Sequence, residues 1–256
     1  MTARALLTGL LVVGCAAPRP APTVTPPVVP TTPEAPAVSP GSDLPAPLSI
    51  PPDELETQSL FRFQVAGPDV DAGFRLTLRL ENRDRFQLQA VDPVGRALWT
   101  LDADGDAVLW LEHRDRRVCR FDRDIELPGL SMGEFPVAAL PALLLGGLPV
   151  RPGAPPRVQV EGDARHLDLL DDGGRHWTAT YRAGKLLRWT LWRGAVPGVG
   201  DPAAQLRRDP PWWILVDRRQ DLEIRWRRVV REALAAPPST PEIPEGYGAE
   251  GCPSAI

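Results

Sequence analysis

Phe74-Arg-Leu-Thr-Leu-Arg-Leu-Glu81 alternates without a break. Phe74, Leu76, Leu78 and Leu80 fall on one side of an extended chain, and Arg75, Thr77, Arg79 and Glu81 on the other. A period of two with one apolar face reads as a strand packed on a core and wetted on its back, the habit of antiparallel sheets. Residues 60–66 repeat the pattern with Phe61, Phe63 and Val65, and 221–228 repeat it with Leu222, Ile224 and Trp226 against Glu223, Arg225 and Arg227. Further strands are predicted at 85–91, 97–101, 107–111, 118–121, 157–160, 165–170, 176–182, 185–192 and 212–216. The breaks are turn chemistry: Gly67-Pro-Asp69, Asn82-Arg-Asp84, Asp92-Pro-Val-Gly95, Asp102-Ala-Asp-Gly-Asp106 and Asp171-Asp-Gly-Gly174. Strands at a spacing of roughly 8–12 residues predict a mainly β meander of about eleven strands, in a sandwich or a barrel. No strand alternates regularly with a helix, which sets aside a doubly wound α/β fold.

One stretch departs from this pattern. Residues 134–147, Glu-Phe-Pro-Val-Ala-Ala-Leu-Pro-Ala-Leu-Leu-Leu-Gly-Gly, are short, very apolar and end in two glycines, as helix C-termini often do. Pro141 limits helix to one or two turns on either side, or kinks it. The segment is either a plug filling one end of a barrel or a lid over an apolar cavity. Both readings bury Leu140, Leu143, Leu144 and Leu145; they differ in whether the opposing surface is full or hollow. Ala66, Ala90, Ala107 and Ala179, read as inward-facing, leave room for the hollow version.

Toward the N-terminus, residues 1–14, Met-Thr-Ala-Arg-Ala-Leu-Leu-Thr-Gly-Leu-Leu-Val-Val-Gly, place one positive residue before an apolar run too short to span a bilayer. Val12-Val-Gly-Cys15 resembles the bacterial lipobox, in which the Cys thiol is diacylated; Cys15 is therefore the expected lipidation site. Residues 15–52 then form a tether. Positions 16–52 carry 13 Pro in 37 residues with no periodicity, and a chain of that composition is extended rather than folded. Ala16 follows the Cys where an Asp would favour inner-membrane retention, so the expected location is the periplasmic face of the outer membrane. At the other end, 235–256 form a second Pro- and Gly-rich stretch, expected to be disordered. The folded domain is thus expected at 53–234.

Composition narrows the function. The formal net charge is −4, which argues against nucleic acid as a partner because phosphate binding needs a basic field. Three scattered His and three Cys argue against a metal site or a disulfide scaffold, and no cofactor is expected. Gly129-Leu-Ser-Met-Gly133 has the form of a nucleophile elbow, but that motif needs a buried strand before Ser131 and a helix after it. Its partners would be His176 with Asp168 or Asp171. The polar, Pro-terminated run before it reads as loop instead, and the chain is expected not to be an enzyme. Asp102–Asp106 lacks the spacing of a calcium loop and reads as a hairpin turn. His113, His166 and His176 read as turn or surface residues. Cys119 reads as a buried apolar residue, with a Cys119–Cys252 disulfide as the alternative in an oxidising envelope. Eight Trp lie on or beside strands. Trp212 and Trp213 are adjacent, so they must point to opposite faces, and one of them lies on the outside.

Over 61–228 the order of three stretches resembles LolB, the outer-membrane lipoprotein-insertion family, and the related lipoprotein-carrier half-barrels. The stretches are Asp84-Arg-Phe-Gln-Leu-Gln-Ala-Val-Asp-Pro-Val-Gly95, Phe135-Pro-Val-Ala-Ala-Leu-Pro-Ala-Leu-Leu-Leu-Gly-Gly-Leu-Pro149 and Gly174-Arg-His-Trp-Thr-Ala-Thr-Tyr181. The resemblance implies an incomplete antiparallel barrel covered by short helical segments, whose concave side binds the acyl chains of lipids or of a cargo lipoprotein. The cavity and lid residues it points to are Phe61, Phe63, Phe74, Leu76, Leu78, Leu140, Leu143, Leu144 and Trp177. It implies that Val94 sits where the family carries a protruding apolar residue that inserts into membranes. A periplasmic lipoprotein carrier is the implied partner, and the chain is expected to act as a monomer. The sequence departs from the family in three places. Only 53–59 precede the first strand where the family has an amphipathic helix, 125–133 read as loop where the family has a helix, and Val94 replaces a Leu.

Overall fold

In a computed structural model, residues 50–122, 135–150, 152–193, 201–249 and 252 are described. The leader 1–14, Cys15, the tether up to 49, and the 125–133 stretch with Ser131 lie outside them. Thirteen strands follow in order: β1 (Thr57–Gly67), β2 (Val70–Leu80), β3 (Arg85–Val91), β4 (Ala97–Asp104), β5 (Ala107–Glu112), β6 (Arg117–Asp122), β7 (Arg157–Glu161), β8 (Ala164–Leu170), β9 (His176–Arg182), β10 (Lys185–Trp192), β11 (Pro202–Asp209), β12 (Trp212–Asp217) and β13 (Leu222–Ala233). They form one antiparallel sheet in the order β6-β5-β4-β3-β2-β1-β13-β12-β11-β10-β9-β8-β7. Two meanders, β1–β6 and β7–β13, are thus welded along the β1–β13 seam. The two sheet edges, β6 and β7, are consecutive in sequence yet lie at opposite ends of the order. The sheet is not closed and has the architecture of a half-barrel.

Thirteen strands exceed the expected eleven or so. The strand that escapes the sequence is β11, Pro-Ala-Ala-Gln-Leu-Arg-Arg-Asp, which has no β-branched or aromatic residue. Pairing on both sides makes it a strand: Leu206 opposes Trp189 of β10 and Leu215 of β12. Context overrides weak local preference here.

Alternation fixes which face is core. Phe61 and Phe63 on β1, Leu76, Leu78 and Leu80 on β2, Phe86 and Leu88 on β3, and Ile224 and Trp226 on β13 are all nearly inaccessible. In the pairing register, Phe74, Phe63, Trp226 and Trp213 stand side by side across β2, β1, β13 and β12. Phe63 stacks on Phe74 at 4.9 Å and on Trp226 at 5.8 Å between ring centroids, offset-stacked arrangements favourable beyond the area they bury.

The C-terminal stretch corrects the sequence reading: residues 235–249 are not a disordered tail. They cross the outer face of the first meander as a strap. Arg79, Arg85 and Gln87 donate to the carbonyls of Ala236, Pro238 and Ser239 at 3.5, 2.7 and 3.1 Å. Gly248 then pairs in parallel with edge strand β6, accepting from the Val118 N–H at 2.9 Å and donating to the Arg116 carbonyl at 3.0 Å. A disulfide joins Cys119 to Cys252. Low periodicity hides such a segment from sequence reading because it builds no core of its own; its backbone is held by side chains of the sheet and by a crosslink. The strap also serves the sheet physically, since an unpaired edge is an aggregation template. Leu109 and Leu111, which alternate outward from Val108 and Trp110, are buried all the same.

Candidate functional site

The inner face is highly apolar, and residues 135–150 pack against it. A 3-10 turn at Val137–Ala139 leads into α1 (Leu140–Leu144). Pro141 does not kink this helix. It stands in the first turn, where its missing N–H costs nothing. The helix stops in a Schellman motif: Gly147 N–H donates to the Ala142 carbonyl at 2.6 Å and Gly146 N–H to the Leu143 carbonyl at 3.1 Å. Gly146 has φ +78°, and a Cβ there would come within 2.3 Å of the Trp213 ring. Two constraints therefore require glycine at this position, the left-handed backbone and the close approach of the indole.

This segment meets the sheet through side chains. Phe135, Leu140, Leu143, Leu144, Leu148 and Val150 belong to the same apolar cluster as Phe61, Phe63, Leu76, Leu78 and Trp177, with Phe74 at its margin. The nine residues named from the sequence thus lie in or beside one apolar cluster. Leu145, expected to be buried, is only half-buried at the helix C-cap. Phe135 sits among Trp177 and Trp189 at centroid distances of 6.2 and 5.6 Å, and the two indoles are 5.2 Å apart. The Trp226 indole N–H donates to the Leu144 carbonyl at 3.2 Å. Of the four alanines read as inward, Ala90 and Ala179 face the core, but Ala66 and Ala107 are exposed. The alternation set by Val65 and Val108 turns those two outward.

Polar groups frame this face. Asp171 closes the β8–β9 turn, accepting from the Arg175 N–H and Nε–H, each at 2.7 Å, and from the Trp177 Nε1–H at 3.0 Å. Burial pushes its pKa up, but the Trp177 and Arg175 donors outweigh it and hold the carboxyl below its ordinary range. Asp92 builds the same turn between β3 and β4, bonding the Arg96 N–H at 2.9 Å and Nε–H at 2.7 Å. The Arg96 backbone N–H is the main cause of its lowered pKa. Tyr181 is buried and its phenol is pushed up to about 12. The Trp189 and Trp110 indole N–H groups are buried with no hydrogen-bond partner among the described residues.

At the tip of the β3–β4 turn, Val94 is 78% exposed, its backbone N–H tied to Asp92 Oδ1 at 3.0 Å. The side chain therefore projects into solvent rather than packing back on its hairpin. Trp213 faces the lid; Trp212 lies on the outside with the Arg227 guanidinium 5.1 Å from its ring. His176 is not a surface residue: it is buried and stands 2.6 Å from Asp168 Oδ1. Ser131, the third member of the constellation considered from sequence, lies outside the described residues. His113 is partly buried between Thr100 and Tyr247, at 3.0 and 2.8 Å. Asp102 is ion-paired with Arg85, accepting from its guanidinium at 3.0 Å. Among the described residues no group of His, Cys, Asp and Glu is placed to hold a metal ion, and no helix is long and apolar enough to cross a membrane.

No family model matches the sequence, and no curated protein matches it. Among solved structures, the chain is similar to a LolA superfamily protein from Nitrosomonas europaea, with TM-score 0.49 and 11% identity over 72% of this chain and 88% of that one. It is similar also to a DUF1329 family protein from Desulfovibrio piger, with TM-score 0.48 and 8% identity over 70% and 85%. A candidate outer membrane lipoprotein-sorting protein domain from Vibrio parahaemolyticus aligns with TM-score 0.45 and 8% identity over 70% and 85%.

Proposed function

We propose that this chain is a lipid-anchored envelope protein that takes acyl chains of lipids or lipoproteins on the inner face of its half-barrel and assists their transfer into the outer membrane. The observation that carries the reading is the nature of the lid–sheet boundary. It consists of Phe135, Leu140, Leu143 and Leu144 against Phe61, Phe63, Trp177 and Trp189, all apolar surface. An acyl chain that replaces the lid meets the same environment the lid leaves, with burial worth about 0.8 kcal/mol per CH₂. No catalytic group is required. The resemblance to the lipoprotein-carrier half-barrels supports the same assignment. Cys15 is the proposed acyl anchor, the Pro-rich stretch after it the spacer, and Val94 the membrane-touching tip. A periplasmic lipoprotein carrier is the proposed donor, and the protein is proposed to act as a monomer.

The completeness with which Leu140 and Leu143 are buried favours a second reading, a scaffold with a permanently filled interior. Titrating the full chain with a fluorescent fatty acid separates the two. The transfer reading expects saturable micromolar binding, displaced by an acylated peptide. Absence of binding up to about 100 μM would leave the scaffold.

A further inference from the structure

The outer face of the seam carries arginines where a sheet would be expected to avoid them. In the pairing register Arg62 stands directly opposite Arg75 on one side and Arg227 on the other. The neighbouring row adds Arg225, and Arg207 beside Arg188. Like charges placed directly across strands are unfavourable, and the whole chain is acidic, with a net charge of −4. Arg225 is paired with Glu223 at 2.6 Å. Arg62 and Arg75 are exposed and have no carboxylate partner among the described residues. Apolar groups are interleaved with them. Trp212 lies under Arg227. Leu60 and Val230 face each other one row along, and Val229 and Val230 are 54% and 42% exposed.

We propose that the outer face of β2, β1, β13 and β12 is a docking surface for an anionic lipid bilayer, with Arg62, Arg75 and Arg227 meeting phosphates while Trp212, Leu60 and Val230 enter the headgroup boundary. Charge complementarity selects an anionic partner. The exposed Val229 and Val230, with the half-buried Leu60 and the half-buried Trp212 indole beside the guanidinium, select a bilayer over a soluble polyanion, because Trp favours the interface where one end is apolar and the other wet. The surface is distinct from the lid face, so bilayer docking here does not require acyl binding there.

The test uses the full chain carrying Cys15→Ser, so that no acyl anchor contributes and the N-terminal stretch is the same in every sample. Sedimentation with vesicles of phosphatidylglycerol and phosphatidylcholine (3:7) is compared with pure phosphatidylcholine. Binding is expected to prefer the anionic vesicles and to weaken as salt rises from 50 to 500 mM. Each charge removed should cost about five-fold, so Arg62→Gln/Arg75→Gln/Arg227→Gln should bind on the order of a hundred-fold more weakly. The triple lysine variant should retain most of the binding. Circular dichroism melting is expected to be no lower in the glutamine variant, since opposed like charges are relieved. Equal binding to both vesicle types overturns the proposal, as does unchanged binding by the folded triple glutamine variant. So does arginine-dependent binding of an oligothymidylate or a polyglutamate in place of vesicles.

Discussion

Trp226 hands its indole N–H to the Leu144 carbonyl across 3.2 Å, a polar link between two otherwise apolar surfaces. Leu144 closes the short helix α1, and Trp226 stands in the aromatic row at the β1–β13 seam. The bond therefore ties the helix to the middle of the sheet, and under the proposed function that helix is the lid. Trp226→Phe keeps an aromatic ring and removes the donor, leaving a buried carbonyl without a partner. We expect a loss of about 1–3 kcal/mol in unfolding free energy, read from denaturant melts. We also expect tighter binding of a fluorescent fatty acid, because the lid is easier to displace. Weaker binding at the same stability loss would mean that Trp226 lines the ligand site instead of restraining the lid.

The strap gives a prediction about stability. The Cys119–Cys252 disulfide closes a separation of 133 residues, and the chain-entropy account assigns about 4–5 kcal/mol to a loop of that size. Cys252→Ser should lower the melting temperature and speed amide exchange at Val118, whose N–H is bonded to Gly248. Exchange in β13 and β1, at the centre of the sheet, should change much less. Uniform loss of protection would show that the strap is integral to the whole fold rather than a cover for one edge.

That strap also marks where sequence reading stops. Strands with one wet face announce themselves: β1, β2 and β13 were legible from Phe61, Leu76 and Trp226 alternating with arginines, because period and environment agree. The short helix was legible too, from its apolar run and the Gly146-Gly147 pair that ends it, although Pro141, read as a limit or a kink, stands in its first turn. β11 was not, since Ala203 and Ala204 carry no strand preference and owe their conformation to neighbours on both sides. Nor were Ala66 and Ala107 oriented correctly, because one alanine gives no sign of which face it joins. The linear order of the sheet has a similar cause. Pairing between β1 and β13 joins residues about 170 positions apart, and nothing local in either strand specifies it.

His113 makes stability sensitive to mild acid. Burial lowers its pKa below the ordinary imidazole range, since a charged ring is disfavoured between Thr100 and Tyr247. The stability tied to the neutral ring is complete above about pH 6.5 and is lost as pH falls through the lowered value. Because Tyr247 belongs to the strap, the loss should appear there first. Thermal melts between pH 7.5 and 5 should fall more steeply for the wild type than for His113→Gln. Identical slopes would show that this ring is not a source of the pH dependence.

Val94 offers the sharpest separation of membrane chemistry from folding. It projects at 78% exposure from a turn fixed by Asp92, whose carboxylate takes the N–H groups of Val94 and Arg96. The backbone of the tip is thus rigid while its side chain touches little. An apolar tip gains almost nothing in water, but burying it among acyl chains is worth about 1.5–3 kcal/mol. Val94→Glu replaces that gain with the cost of carrying a charge into the bilayer, without altering the turn. We expect an unchanged melting temperature and unchanged fatty-acid binding, together with at least ten-fold slower delivery of an acylated cargo to liposomes, the loss following from the forfeited insertion energy. Val94→Leu should match or exceed the wild type, since it enlarges the inserted surface. A glutamate variant that delivers normally removes Val94 from the transfer step, and one that melts early shows instead that the side chain supports its hairpin.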